Sequence, residues 1–187
     1  MERILPAAFF DRDPSLVAPD LLGKYVIRLY YGERLVGKIT ETEAYLPFGD
    51  EASHGMKRTK TRDSLYKRGG HAYVYGLRHH YLFNTVTEGI DRPGGVLIRG
   101  VAPVEGIDTM LTLRGKSELK DLSNGPGKVC QALSITRAQD GIDLTKRNGE
   151  LYIEDWHEKV NKKDVLISKR IGITKAVDMM LRFNLKN

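Results

Sequence analysis

Between Leu35 and Tyr45 the sequence LVGKITETEAY sets two carboxylates and a phenol at alternate positions, at the end of an apolar run. Side chains alternate faces along a strand. Leu35, Gly37, Ile39, Glu41, Glu43 and Tyr45 are therefore expected on one face, with Val36, Lys38, Thr40, Thr42 and Ala44 on the other. A carboxylate that continues a core strip must be partnered, exposed at the strand end, or used. Burial beside a like charge is one way proteins tune a carboxylic acid for proton transfer. The other reading is an edge strand running out to solvent with both acids hydrated.

Three further groups of residues bear on chemistry. His71, His79 and His80 are close in sequence, but adjacent histidines on a strand point to opposite faces, and no cysteine or acid at ligand spacing completes a set. No metal and no cofactor are expected. Gly125-Pro126-Gly127-Lys128 lacks the phosphate-loop spacing and the Ser/Thr after the lysine. It reads as a turn into a helix whose backbone N–H groups, with Lys128, can hold a phosphate. Finally, KRTKTRDSLYKRGG from Lys57 to Gly70 carries Lys57, Arg58, Lys60, Arg62, Lys67 and Arg68 against one acid, Asp63. Hydroxyls lie among these cations, all able to bond phosphate oxygens. A contact with the phosphates of a nucleic acid and a solvated basic loop are both open readings.

The chain has 187 residues, 41% hydrophobic and 29% charged, enough for one domain with a real core (residues 1–187) and too few for two. Thirty Lys plus Arg against 24 Asp plus Glu leave a net charge of +6, which favours a polyanionic partner, nucleic acid before membrane. No run approaches the roughly 18 apolar residues of a membrane helix. Glu2 and Arg3 precede a short apolar stretch that ends in charge, unlike a secretory signal. The single cysteine, Cys130, forms no internal disulfide. The expected location is cytoplasmic (nucleoid-associated) or nuclear, and not secreted.

The elements that must position these residues read as follows. Asp13-Pro14 caps a short helix to about Leu22. Strands are expected over Lys24–Tyr31, Arg34–Tyr45, 72–76, 79–87, Val96–Val101, Glu150–Glu154 and Val165–Ile173, with a long polar loop from Tyr45 to about Gly70. One helix is expected to open at Pro103-Val104-Glu105 and run through Leu113, another at Gly127-Lys128. Strands in runs with helices set apart argue an α+β fold with a curved, largely antiparallel sheet and surrounding helices.

ETEAY, followed by Asp50-Glu51-Ala52-Ser53-His54, resembles the signature of the alkyladenine (3-methyladenine) DNA glycosylase family. So do Thr61-Arg62, Gly70-His71-Ala72-Tyr73-Val74-Tyr75, Phe83-Asn84, and Val96-Leu97-Ile98-Arg99 with Pro103 and Glu105-Gly106. Asn124-Gly125-Pro126-Gly127-Lys128-Val129-Cys130, Arg170-Ile171-Gly172-Ile173 and Arg182-Phe183 complete a series that runs in order over almost the whole chain.

The resemblance implies a monofunctional enzyme of base-excision repair that flips an alkylated or deaminated purine out of double-stranded DNA and hydrolyses its N-glycosidic bond. It also implies a fold without the helix-hairpin-helix of other glycosylases. Glu43 would activate water, and Arg99 would position that water and hold Glu43 ionised. Tyr45, His54 and Tyr75 match the walls that stack the flipped base, which suits electron-poor purines. Asn84 matches the asparagine that crowds the exocyclic amino group of normal guanine. Damaged duplex DNA is the expected partner, contacted by Lys57, Arg58, Lys60, Arg62 and Lys128, and a monomer is the expected state. No lysine takes the catalytic position, so hydrolysis rather than Schiff-base chemistry is expected.

This chain departs from the family at the tip after Tyr75. Gly76-Leu77-Arg78-His79 is one residue shorter than usual and lacks the tyrosine that wedges into the minor groove. Leu77 is the replacement expected, since apolar side chains also unstack base steps, with Arg78 second. The carboxyl end, from Arg182 to Asn187, lacks the family's usual proline and its small tail. Two rival functions remain at this level: a catalytically silent nucleic-acid-binding module on the same scaffold, and a hydrolase of free nucleosides. The preferred lesion and the sharing of protons between Glu41 and Glu43 are not readable from the sequence.

Overall fold

The computed structural model describes residues 4–147 and 149–186. The charged start, Met1 to Arg3, and the final residue of the short carboxyl end, Asn187, lie outside the described residues, as does Asn148.

A short helix α1 (Ala7–Phe10) precedes α2 (Pro14–Asp20). Asp13 caps α2 as expected, its Oδ1 accepting from the Ser15 N–H at 2.7 Å, and Pro14 occupies the first turn where no donor is missed. The strands β1 (Tyr25–Tyr30) and β2 (Glu33–Tyr45) form an antiparallel hairpin. The polar stretch that follows holds two 3-10 turns, His54–Met56 and Lys60–Tyr66. Next come β3 (Ala72–Leu77), β4 (His80–Thr87), β5 (Gly94–Glu105), α3 (Ile107–Arg114), α4 (Pro126–Ala132), β6 (Leu151–Glu154), β7 (Val165–Ser168) and β8 (Arg182–Leu185).

The strands pair antiparallel in the order β3-β4-β5-β2-β1-β6. On its free side β2 is shared: its first half pairs with β1 and residues Glu41–Glu43 pair with β8, which in turn carries β7. The curved antiparallel sheet with helices packed on it is the α+β class expected. Val17 and Ala18 of α2, Met110 of α3 and Val129 of α4 join Phe83 and Ile98 of the sheet in one buried cluster. Each of the larger side chains removed from water contributes about 1.5–3 kcal/mol. The helices thus cover one face of the sheet.

Three expectations need correction, and two elements were not foreseen. The helix expected from Pro103 starts later. Residues to Glu105 stay in β5, where Glu105 pairs with Val36 and Pro103 with Gly37 beside a register shift, a place that tolerates proline. The chain then turns at Gly106 in the left-handed region (φ 71°), where a Cβ would collide with Leu35 Cδ2. The strand expected through Ile173 ends at Ser168, because the Arg170 side chain is drawn into the interior. Strand β8 and helix α1 carry too few periodic residues to be read from sequence.

The third correction concerns the faces of β2. Along the ladder with β5, Thr40 of β2 and Arg99 of β5 are each left without a partner, so both strands change phase together. Leu35 and Ile39 face the helices before the irregularity, and Ala44 faces them after it, with Thr42 Oγ1 bonding the Ala18 carbonyl of α2 at 2.8 Å. Glu41, Glu43 and Tyr45 therefore lie on the face opposite Leu35 and Ile39, not on the same one. Gly100 permits this close crossing: a Cβ there would stand 3.2 Å from Thr40 Oγ1 and 3.3 Å from Glu41 Cβ.

Candidate active site

The face turned away from the helices carries a cavity of about 440 Å³. Its size falls in the range of about 300–1,000 Å³ typical of sites for small organic groups. Strand alternation supplies much of its wall. Tyr73, Tyr75 and Leu77 come from β3, Leu82 and Asn84 from β4, Leu97 and Arg99 from β5, and Tyr45 from the end of β2. His54 closes one side from the first 3-10 turn, and residues 171–175 close another.

Glu43 lies directly behind this lining, with no exposed surface. One carboxylate oxygen, Oε2, accepts from the Tyr45 hydroxyl at 2.9 Å. The other, Oε1, accepts from the Ile171 N–H at 2.8 Å and stands 3.5 Å from Arg99 Nη1. A buried carboxylate needs such donors, since an isolated charge in a dry interior is prohibitively costly. Arg99 is the unpaired residue of the β5 irregularity, and its displacement aims the guanidinium at both acids. Its Nε donates to Glu41 Oε1 at 2.9 Å, and Arg182 Nη1 reaches the same oxygen at 3.2 Å. The repulsion expected between the two acids is thereby offset by two cations.

The aromatic wall is uncharged and partly buried. Tyr73 and Tyr75 stack with centroids 5.3 Å apart, and His54 meets Tyr75 edge-on at 4.5 Å. Burial, and behind it the Arg62 cation, pushes the His54 imidazole down to about 4. Its Nδ1 shares a 2.8 Å hydrogen bond with the Tyr73 hydroxyl. Burial, and next the Glu43 carboxylate, pushes the Tyr75 phenol up to about 12 and the Tyr45 phenol higher still. Asn84 Nδ2 donates to the Tyr73 carbonyl at 3.1 Å, which ties the amide down beside the cavity.

A chain-length match settles the family. A model of the methylpurine-DNA glycosylase family matches residues 8–187. The chain belongs to that family. It is 43% identical over 188 residues to a protein of Carboxydothermus hydrogenoformans named as a candidate 3-methyladenine DNA glycosylase, covering 98% of this chain and 96% of that one. A similarly named protein of Clostridium perfringens is 44% identical over 197 residues (96% and 94%). One of Francisella tularensis is 39% identical over 174 residues (91% and 89%).

In this member of the methylpurine-DNA glycosylase family, the structure brings Tyr45, His54, Tyr75, Asn84 and Arg99 together around one cavity, with Leu77 at its rim and 53% exposed. Arg78 sits at the exposed tip of the β3–β4 hairpin, outside the lining, with φ 55°. The basic loop divides. Arg62 donates to the carbonyls of His54 and Lys57, and Arg58 pairs with Asp63 and Asp91 while lying over the Tyr66 ring at 4.6 Å. Lys57 and Lys60 are exposed. Lys128 donates to Asn124 at 2.8 Å, outside the cavity lining, although Pro126 at the start of the same helix does line it.

The sequence places Tyr73 on one strand face with Tyr75, but it assigns no role of their own to Leu82, Leu97, Ile171, Lys175, or the buried pair of Asp50 and Arg170. Ile171 lies in a matching motif, but its contact with Glu43 is made by the backbone N–H, which no side-chain pattern reveals. Among the described residues no three His, Cys, Asp or Glu side chains group as a metal site would need, and no helix is long and apolar enough to cross a membrane.

Proposed function

We propose that this chain is a monofunctional DNA glycosylase that takes an alkylated or deaminated purine out of duplex DNA and hydrolyses its N-glycosidic bond. One observation supports this above the others: Glu43 is wholly buried yet bonded to Tyr45, at the back of a cavity walled by Tyr45, His54 and Tyr75. A flipped base stacks against such walls. A cationic base such as 3-methyladenine or 7-methylguanine gains further from electron-rich rings.

In the proposed reaction Glu43 accepts a proton from water as the oxygen attacks C1′ of the sugar. The C1′–N bond breaks, and its electron pair leaves with the base. A base that is already cationic needs no acid to expel it, so one carboxylate suffices. Arg99 steadies the water and the Glu43 charge, and Asn84 crowds a normal guanine. The neutral His54 offers a ring nitrogen to the base edge. Leu77, at the cavity rim, enters the space vacated in the stack. Lys57, Lys60 and Lys128 meet the backbone, and Arg58 and Arg62 shape the loop that carries the first two. The working unit is one domain acting as a monomer.

The test is single-turnover base release from duplex oligonucleotides bearing 7-methylguanine, hypoxanthine or ethenoadenine, by wild type and Glu43→Gln. We expect release by wild type and a fall of about 10²–10⁴-fold in the variant, with DNA binding retained. Release that survives the substitution would move the chemistry to another group, Glu41 first. Tight binding without release on every lesion would leave the silent binding module as the better reading.

A further inference from the structure

Asp50 and Arg170 form a bidentate ion pair in which neither side chain has any exposed surface. Arg170 Nη1 donates to Asp50 Oδ2 at 2.6 Å and Nη2 to Oδ1 at 2.8 Å. The same two oxygens accept from the backbone N–H groups of Leu46 and Ala52, each at 3.1 Å, which closes the loop between β2 and His54. Arg170 Nη1 also bonds the Ala44 carbonyl at 3.0 Å, between Glu43 and Tyr45. The guanidinium lies 4.6 Å from the centroid of the Tyr45 ring. The next residue in the chain, Ile171, donates its N–H to Glu43.

Stability does not account for this arrangement. Removing two charges from water costs several kcal/mol per ion, and apolar replacements of both partners are often neutral or stabilising. Among the described residues, moreover, Arg170 Nε is buried without a hydrogen-bond partner, a further cost. What the pair does achieve is geometric. A rigid planar fork joins the end of β2, the loop leading to His54, and the segment that turns away from the sheet after Ser168. All three meet at Glu43 and Tyr45.

We propose that Asp50 and Arg170 are positioning residues for the reaction centre: their pairing sets where the Ile171 N–H meets Glu43 and how Tyr45 stands in the cavity wall. The pair accordingly governs the rate of bond breakage in bound DNA rather than the affinity for DNA. This rests on the role given to Glu43 above.

The experiment measures the single-turnover rate constant at saturating enzyme, the active fraction and the dissociation constant for lesion duplex. It uses wild type, Asp50→Asn, Arg170→Lys, the double variant Asp50→Asn/Arg170→Met, and Glu43→Gln in parallel. Arg170→Lys keeps the charge and loses the fork. We expect rate constants lowered by up to about 100-fold in both single variants, since a displacement near 1 Å suffices for that, with affinity within about threefold of wild type. The double variant removes the buried charges together, so it should regain thermal stability without regaining rate. A rate constant that returns to wild type with stability would overturn the proposal and leave the pair a structural brace. If Asp50→Asn does not fold, Arg170→Lys alone decides, an unchanged rate constant counting against us. Should Glu43→Gln keep the wild-type rate, the reading of Glu43 fails. Loss in Glu43→Gln with wild-type rates in the pair variants would sink the positioning role alone.

Discussion

Arg99 is held more closely by Glu41, at 2.9 Å through Nε, than by Glu43, whose Oε1 is 3.5 Å from Nη1. Glu41 is a partner of both Arg99 and Arg182, whereas Glu43 also bonds Tyr45 and a backbone N–H. The two acids therefore divide their work: Glu41 seats the guanidinium, and Glu43 presents a carboxylate behind the cavity wall.

Replacing Glu41 with Gln should loosen Arg99 without removing the carboxylate behind the cavity. We expect excision slowed by roughly tenfold, about 1.4 kcal/mol of barrier, well short of the loss in Glu43→Gln. Single-turnover rates of the two variants side by side check this, and the reverse ranking would assign the chemistry to Glu41.

His54 links stability to pH. A histidine in the unfolded chain titrates near 6.5, whereas the folded His54 does so at about 4, because burial opposes its charged form. Between these values the unfolded chain binds the extra proton, so stability must fall as the pH drops from about 6.5 towards about 4. Thermal unfolding near pH 7 and near pH 5 should show a larger loss for wild type than for His54→Asn. Equal losses would mean that His54 does not carry this linkage.

The exposed cations of the loop should separate from the paired ones. Lys57→Ala with Lys60→Ala should lower the slope of log affinity against log salt by about 2, with no change in folding, if both meet phosphates. Arg58→Ala should instead lower thermal stability, because it unpairs Asp63 and Asp91 and uncovers Tyr66. Fluorescence anisotropy on a duplex across a salt series gives the slopes. An unchanged slope in the double lysine variant would leave the loop a solvated surface.

At the hairpin tip, charge and backbone can be told apart. Arg78 holds φ 55°, a conformation that costs an ordinary residue about 1–2 kcal/mol and glycine little. Arg78→Gly should therefore fold as well as wild type or better, and its excision rate reports the charge alone. Leu77→Ala should slow release from duplex more than from single strands, since only the duplex must be unstacked. Should Arg78→Gly slow duplex release while Leu77→Ala leaves it unchanged, the wedge is Arg78.

Much of the scaffold was legible because it depends on neighbours in sequence. Asp13-Pro14 starts a helix wherever its cap is satisfied, and the aromatic and β-branched runs of β1, β3 and β4 mark strands, which are buried on both faces over much of their length. Tyr45, His54, Tyr75, Asn84 and Arg99 were found through ordered resemblance and converge on one cavity. Pro103 misled, since a proline that can open a helix is equally at home beside a bulge, and the ladder to Gly37 decided between them.

By itself, then, the sequence determined the residue types, the α+β class and the family, because these rest on local propensity, periodicity and ordered motifs. The tertiary structure decided which face Glu43 occupies, which acid seats Arg99, and that Asp50 meets Arg170 across 120 residues. The reason is physical. Strand alternation predicts faces only while the ladder stays regular, and the paired slip at Thr40 and Arg99 depends on two strands that are far apart in the chain. Buried charges likewise find their partners through folding, not through spacing.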